Sequence, residues 1–104
     1  MCGIAGFVDF KGTRSAAAAA ALAKSMGDAI RHRGPDASGE WVDKDAILAL
    51  AHRRLSIQDL SAAGRQPMLS ASGRYVLVFN GEIYNFRELR RELDTSVDTD
   101  WRST

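Results

Sequence analysis

The chain has 104 residues, with 14 Lys and Arg against 13 Asp and Glu for a formal net charge of +1, and 45% of its residues are hydrophobic. That size is one small domain or part of a larger one, and the balance is that of a globular chain rather than a disordered one, with no charge excess to favour a nucleic acid or an anionic membrane. A single cysteine allows no internal disulfide, which fits a reducing, cytoplasmic setting; no secretory leader is visible, and no apolar run reaches the roughly 18 residues of a membrane span.

The first element is a strand over "GIAGFVDF", where Ile4, Phe7 and Val8 are strand formers. After the turn "KGT", Ser15 can cap a helix from about Ala16 to Ile30. Leu22, Met26 and Ile30 lie four apart on it and make an apolar face, while its alanines allow close approach to a sheet. Gly34-Pro35 ends the helix, and "RHRGPDASG" reads as a loop. "EWV" and "AILALAH" read as two strands joined by the turn "DKD", and "DLSAAGRQPM" as a second loop. "GRYVLVFN" carries Tyr75, Leu77 and Phe79 on one face and Val76 and Val78 on the other, the pattern of a central strand covered on both sides. Asn85 with Glu88 has capping-box spacing, which predicts a helix from Phe86 to about Leu93. Strand, helix, three strands, helix is an α+β order, with hairpin-linked strands favouring antiparallel sheets.

Four clusters carry chemistry-bearing residues. Cys2, in "MCGIAGF", either packs as a small hydrophobe or, once Met1 is removed, places a thiol nucleophile beside a free α-amine base. Arg31, His32 and Arg33 in "RHRGPD" either suit a helix C-terminus or form a basic site. Arg53 and Arg54 in "AHRRLSI" either end a strand in solvent or present a guanidinium fork to a carboxylate or phosphate. Asn80-Gly81 in "FNGEIYN" is followed too soon by a helix cap for a simple hairpin, and an amide beside a glycine N–H can form an oxyanion hole. Cys2, His32 and His52 lack the short spacings of a zinc site, so no metal is expected.

Together "MCGIAGF", "RHRGPD", "AHRRLSI" with its following aspartate, and "FNGEIYN" resemble, in order and spacing, the class II glutamine amidotransferase domains, and within them the N-terminal part of the glutamine-hydrolysing asparagine synthetases. The resemblance runs from Met1 to about Leu93. It implies the N-terminal-nucleophile fold, a four-layer α/β/β/α sandwich with antiparallel sheets, of which only the N-terminal part is expected in residues 1–104. It implies that Cys2 attacks the glutamine side-chain amide to give a thioester, that Arg54 binds the α-carboxylate and Glu82 the α-ammonium, and that the Asn80 side chain and Gly81 N–H hold the oxyanion. The resemblance also implies that backbone groups of Ile57 and Gln58 line the same pocket and that Arg33 and Asp36 brace their loop rather than touch substrate. Glutamine carries one carboxylate and one ammonium beside its amide, so a selective site needs a cation, an anion and an oxyanion cradle, and these residue types supply them.

The resemblance further implies an ATP- and Mg2+-binding synthetase domain outside this chain, ammonia delivery for asparagine synthesis from aspartate, and a homodimer when complete. The family continues with a serine-aspartate pair, so these residues alone are expected to be inactive. The competing readings are a non-catalytic interaction module, a basic-patch module for RNA or phosphate, and the glutaminase part of an amidotransferase with another acceptor.

Overall fold

The structure, a computed structural model, describes residues 1–57, 61–98 and 101. Its elements are β1 (Gly3–Val8), α1 (Ala16–Ala29), β2 (Ala37–Val42), β3 (Leu48–Arg54), β4 (Met68–Leu69), β5 (Val76–Leu77) and α2 (Phe86–Ser96), with single 3-10 turns at Arg31–Arg33 and Ala62–Gly64. They form a three-stranded sheet in the order β1-β3-β2 and a two-stranded sheet of β4 and β5, and every pairing within them is antiparallel. The mixed α/β class with antiparallel sheets follows from the hairpin and helix signals in the sequence.

β3 lies between its neighbours, with Ala5 opposite Ala51 on one side and Glu40 opposite Ala51 on the other. Side chains alternate along it. Ala49 and Ala51 face α1 and form the core with Ala23, flanked by Ala5, Phe7 and Val42. Leu48, Leu50, His52 and Arg54 alternate to the opposite face by the period of two along a strand. That alternation aims His52 and Arg54 away from the helix and into the cleft described below.

α1 behaves as its sequence requires. Ser15 caps it, the hydroxyl accepting from the Ala18 N–H at 3.1 Å. The deepest stripe, however, is Ala19, Ala23 and Gly27, while the expected face of Leu22, Met26 and Ile30 is only half-buried. Small side chains bring the helix axis onto the sheet, so that even a Cβ at Gly27 would sit 3.4 Å from the Ala51 Cβ. The larger residues then fall at the edges of the contact.

Three expectations need correction. The strand β2 begins at Ala37, inside the stretch read as a loop, because Asp36 and Ala37 pair with the far end of β3. The stretch "GRYVLVFN" is not a doubly covered central strand. Among the described residues only Val76–Leu77 pairs, and only with Met68–Leu69, and Tyr75, Leu77 and Phe79 are exposed at 63%, 55% and 41%. Alternating apolar residues set its two faces but do not supply a layer for each. α2 runs to Ser96, and the Asn85 side chain makes no cap bond; its backbone carbonyl instead accepts from the N–H groups of Glu88 and Leu89. Among the described residues no helix is long and apolar enough to cross a membrane.

Candidate active site

Cys2 stands one residue before β1, half-buried beside the end of β3. The β1–β3 register, Gly3 opposite Arg53, carries it alongside Arg54. Its sulfur accepts the Leu55 N–H at 3.3 Å, and the Leu55 carbonyl lies 3.7 Å away as an acceptor for the thiol. Strand pairing thus fixes the thiol although it stands beside the chain end. Met1 is 69% exposed and lies along the same cleft, so its removal would open the Cys2 amine onto that space.

The two adjacent arginines do different work. Arg53, 7% exposed, turns to the α1 side, donates from Nε to the Gly34 carbonyl at 2.9 Å and lies 4.0 Å from Asp28. Arg54 turns to the cleft, where its guanidinium donates to the Ser61 carbonyl at 2.7 Å and packs over Gly64. The alternation of a strand separates a structural cation from a cleft cation, which adjacency alone does not reveal.

The segment after α1 is a brace. Arg31, His32 and Arg33 make a single exposed turn beyond the helix C-terminal end, where cations suit the helix dipole. The Asp36 carboxylate accepts the Ser56 N–H at 2.8 Å, and the Asp36 N–H donates to the Arg54 carbonyl at 3.0 Å. Gly34 lies so close to β3 that a Cβ there would meet the Arg53 oxygen and the Arg54 nitrogen at 2.5 Å each. Backbone cannot yield as a flexible side chain can. Gly34→Ala is therefore expected to cost about 1–3 kcal/mol of stability, read as a lower melting temperature against wild type. A melt unchanged within error would show that this close approach is not needed.

These elements enclose a cleft of about 920 Å³ whose walls include Cys2, His52, Arg54, Leu55, Ile57, Gln66, Asn80, Gly81 and Glu82. Residues far apart in the chain therefore meet: the N-terminal thiol, the β3 cation, and the amide, glycine and carboxylate that follow β5. Arg54 and Asn80 are half-buried, whereas Glu82 is exposed at the rim and Ile57 is 68% exposed. Gln58 lies outside the described residues. A second cavity of about 250 Å³ on the β1 side is bounded by Cys2, Arg33 and Asn80 among others, so Cys2 and Asn80 border both spaces. Among the described residues no group of three or more His, Cys, Asp or Glu side chains could hold a metal ion.

Two cleft residues escaped the sequence reading. His52 is 1% exposed, and no described atom closes a well-formed hydrogen bond to its Nε2. Burial pushes its pKa below the ordinary histidine range, against an upward pull from the Phe79 backbone and a further downward push from Arg54. Burial thus favours the uncharged imidazole. Gln66 accepts the Phe79 N–H on its side-chain oxygen at 2.6 Å. The signal for His52 was its place two residues before Arg54 on the same strand face; Gln66 showed none beyond its position before Pro67.

The sequence profile of the family described as glutamine amidotransferase domain matches residues 1–104. The chain is 44% identical over 93 residues to asparagine synthetase (glutamine-hydrolyzing) 2 of Bacillus subtilis, covering 89% of this chain and 12% of that protein. It is 45% identical over 92 residues to asparagine synthetase B (glutamine-hydrolyzing) of Escherichia coli, covering 88% of this chain and 16% of that protein. It is also 37% identical over 100 residues to Amidase chry2 of Gibberella zeae, covering 89% of this chain and 15% of that protein. The chain thus spans between 12% and 16% of the length of these relatives.

Proposed function

The chain belongs to the glutamine amidotransferase domain family, and on that premise we propose that its cleft hydrolyses glutamine to glutamate and ammonia with Cys2 as the nucleophile. The observation that carries this reading is the convergence of Cys2, Arg54, Asn80, Gly81 and Glu82 on one cleft. The Cys2 thiolate attacks the side-chain carbonyl carbon of glutamine, and the Asn80 amide and Gly81 N–H donate to the oxygen that becomes negative. The amine freed by removal of Met1 receives the thiol proton and returns it to the departing nitrogen. The C–N bond breaks, ammonia leaves, and a γ-glutamyl thioester remains. Water adds to the thioester carbonyl, the C–S bond breaks, and glutamate leaves as the thiol is restored. Arg54 holds the substrate α-carboxylate and Glu82 its α-ammonium, which sets the amide over the sulfur. Backbone groups of Ile57 and Gln58 complete the pocket wall in this reading.

The finer architecture is part of the same proposal. The sheet β1-β3-β2 with α1 on one face is read as two layers of a four-layer N-terminal-nucleophile sandwich, with β4 and β5 belonging to the second sheet. Residues 1–104 are read as part of a type 2 glutaminase domain in a cytoplasmic protein. The ammonia passes to a synthetase domain outside these residues, one that binds ATP and Mg2+ and amidates aspartate, and the complete protein is a homodimer. A second reading keeps the glutaminase chemistry and changes the acceptor of the ammonia; not every relative is named an asparagine synthetase, the Gibberella zeae protein being named an amidase.

Substitution at Arg54 tests the binding roles. Arg54→Lys keeps the charge but loses the bidentate fork, so the KM for glutamine is expected to rise about tenfold, with kcat changed little. Steady-state glutamate release across glutamine concentrations measures both. A fall in kcat at unchanged KM would remove Arg54 from carboxylate binding.

A further inference from the structure

We propose that Gln66 is a positioning residue for the segment that carries the oxyanion donors, acting through the main chain of Phe79; the proposal rests on the glutaminase reading above. The β4–β5 register, Met68 opposite Leu77 and Leu69 opposite Val76, extends backwards to place Pro67 opposite Val78 and Gln66 opposite Phe79. In that register the Phe79 N–H would meet the Gln66 main-chain carbonyl, but this carbonyl is turned against Gly39 of β2 instead. The Gln66 side chain takes over there, its Oε1 accepting the Phe79 N–H at 2.6 Å. Phe79 is the residue directly before Asn80, and its ring lies where a Cβ on Gly81 would be 3.0 Å away. Fixing Phe79 therefore fixes the direction of Asn80 through the chain and the seat of Gly81 through the ring.

Gln66 is itself anchored. Its backbone carbonyl presses on Gly39 of β2 so closely that any Cβ at Gly39 would overlap it. Gly39 pairs with His52 on β3, and His52 and Phe79 both line the cleft. Phe79 is thus held through its N–H by a side chain whose own backbone is seated on the sheet that carries Arg54. The same arrangement ties the oxyanion segment to the sheet whose edge, through Leu55, holds the Cys2 sulfur. In this reading Gln66 supplies neither the nucleophile nor an oxyanion donor, so its contribution is to geometry: donors misplaced by about 1 Å cost on the order of 10²-fold in rate.

The test uses the full-length protein with Gln66→Met, which keeps the volume and removes the acceptor, and Gln66→Glu, which keeps an acceptor oxygen. Gln66→Met is expected to lower kcat for glutamine hydrolysis about 10- to 100-fold with KM within about threefold, while Gln66→Glu recovers kcat to within about threefold of wild type. Alkylation of Cys2 by iodoacetamide should proceed at the wild-type rate in both, because the thiol itself is untouched. Amide hydrogen exchange at Phe79 and Asn80 should quicken in Gln66→Met and not in Gln66→Glu, a readout independent of turnover. Wild-type kcat in Gln66→Met, an equal loss in both variants, or a change confined to KM would overturn the positioning role alone. A wild-type protein that releases no glutamate would overturn the glutaminase reading with it.

Discussion

Cys2→Ser is expected to abolish glutamine hydrolysis, by roughly 10³-fold or more in kcat/KM, while any ammonia-dependent amidation by the complete protein is spared. The two side chains differ by one atom, so the fold and the cleft should survive. What changes is nucleophilicity: a thiol supplies an appreciable thiolate fraction near neutral pH, whereas a hydroxyl must lose its proton during attack. The Leu55 N–H that now points at sulfur from 3.3 Å would still meet an acceptor, which argues against a structural origin for the loss. Glutamate release and ammonia-supported synthesis, measured on the same preparation, separate the two effects. Glutamine turnover above a tenth of wild type would remove Cys2 from the reaction.

Asn80→Ala is the second large effect. Its amide borders both cavities beside Cys2 and can donate to an oxygen that carries full negative charge only after attack. An interaction that strengthens in the transition state appears in kcat rather than KM. The expected loss is about 10²- to 10³-fold in kcat, with KM altered by no more than about threefold. Single-turnover glutamate release isolates the acylation and hydrolysis steps from product release. A rise in KM alone would place Asn80 in ground-state binding, beside Arg54.

How much of this was legible in the chain differs by residue. The alternation in "AHRRLSI" is visible, and once the strand is known to reach Arg54 it separates Arg53 from Arg54. Sequence adjacency gave no sign that Arg53 would hold Gly34 while Arg54 faced the cleft, because the partner loop lies 19 residues away. The α1 cap at Ser15 was local and read correctly, since a side chain bonding three residues on depends on little else. The Asn85 box has the same local pattern and did not form. Its helix has no buried residue, so no packing holds the first turn in a chosen geometry.

Burial was the least legible property. Alternating apolar residues in "YVLVF" suggested two covered faces, yet burial requires a partner on each side, and a pattern within one strand says nothing of that partner's position. The cleft was legible only through the ordered set of motifs. Each of Cys2, Arg54 and Asn80 had a plain structural alternative, and their meeting depends on strand pairings between residues some 50 positions apart, such as Gly3 with Arg53. Gln66 was hidden for a related reason: its role arises where the hairpin register ends and its main-chain carbonyl turns to Gly39, leaving the side chain to meet Phe79.

The most direct test of Cys2 as the glutaminase nucleophile is covalent trapping with a diazoketone that mimics glutamine, followed by peptide mass spectrometry of the protein with and without competing glutamine. The expected result is a chain that has lost Met1, a single adduct on the Cys2 sulfur, inactivation in step with labelling, and protection by glutamine. Inactivation with Cys2 unmodified, or full glutaminase turnover by a chain that retains Met1, would contradict it.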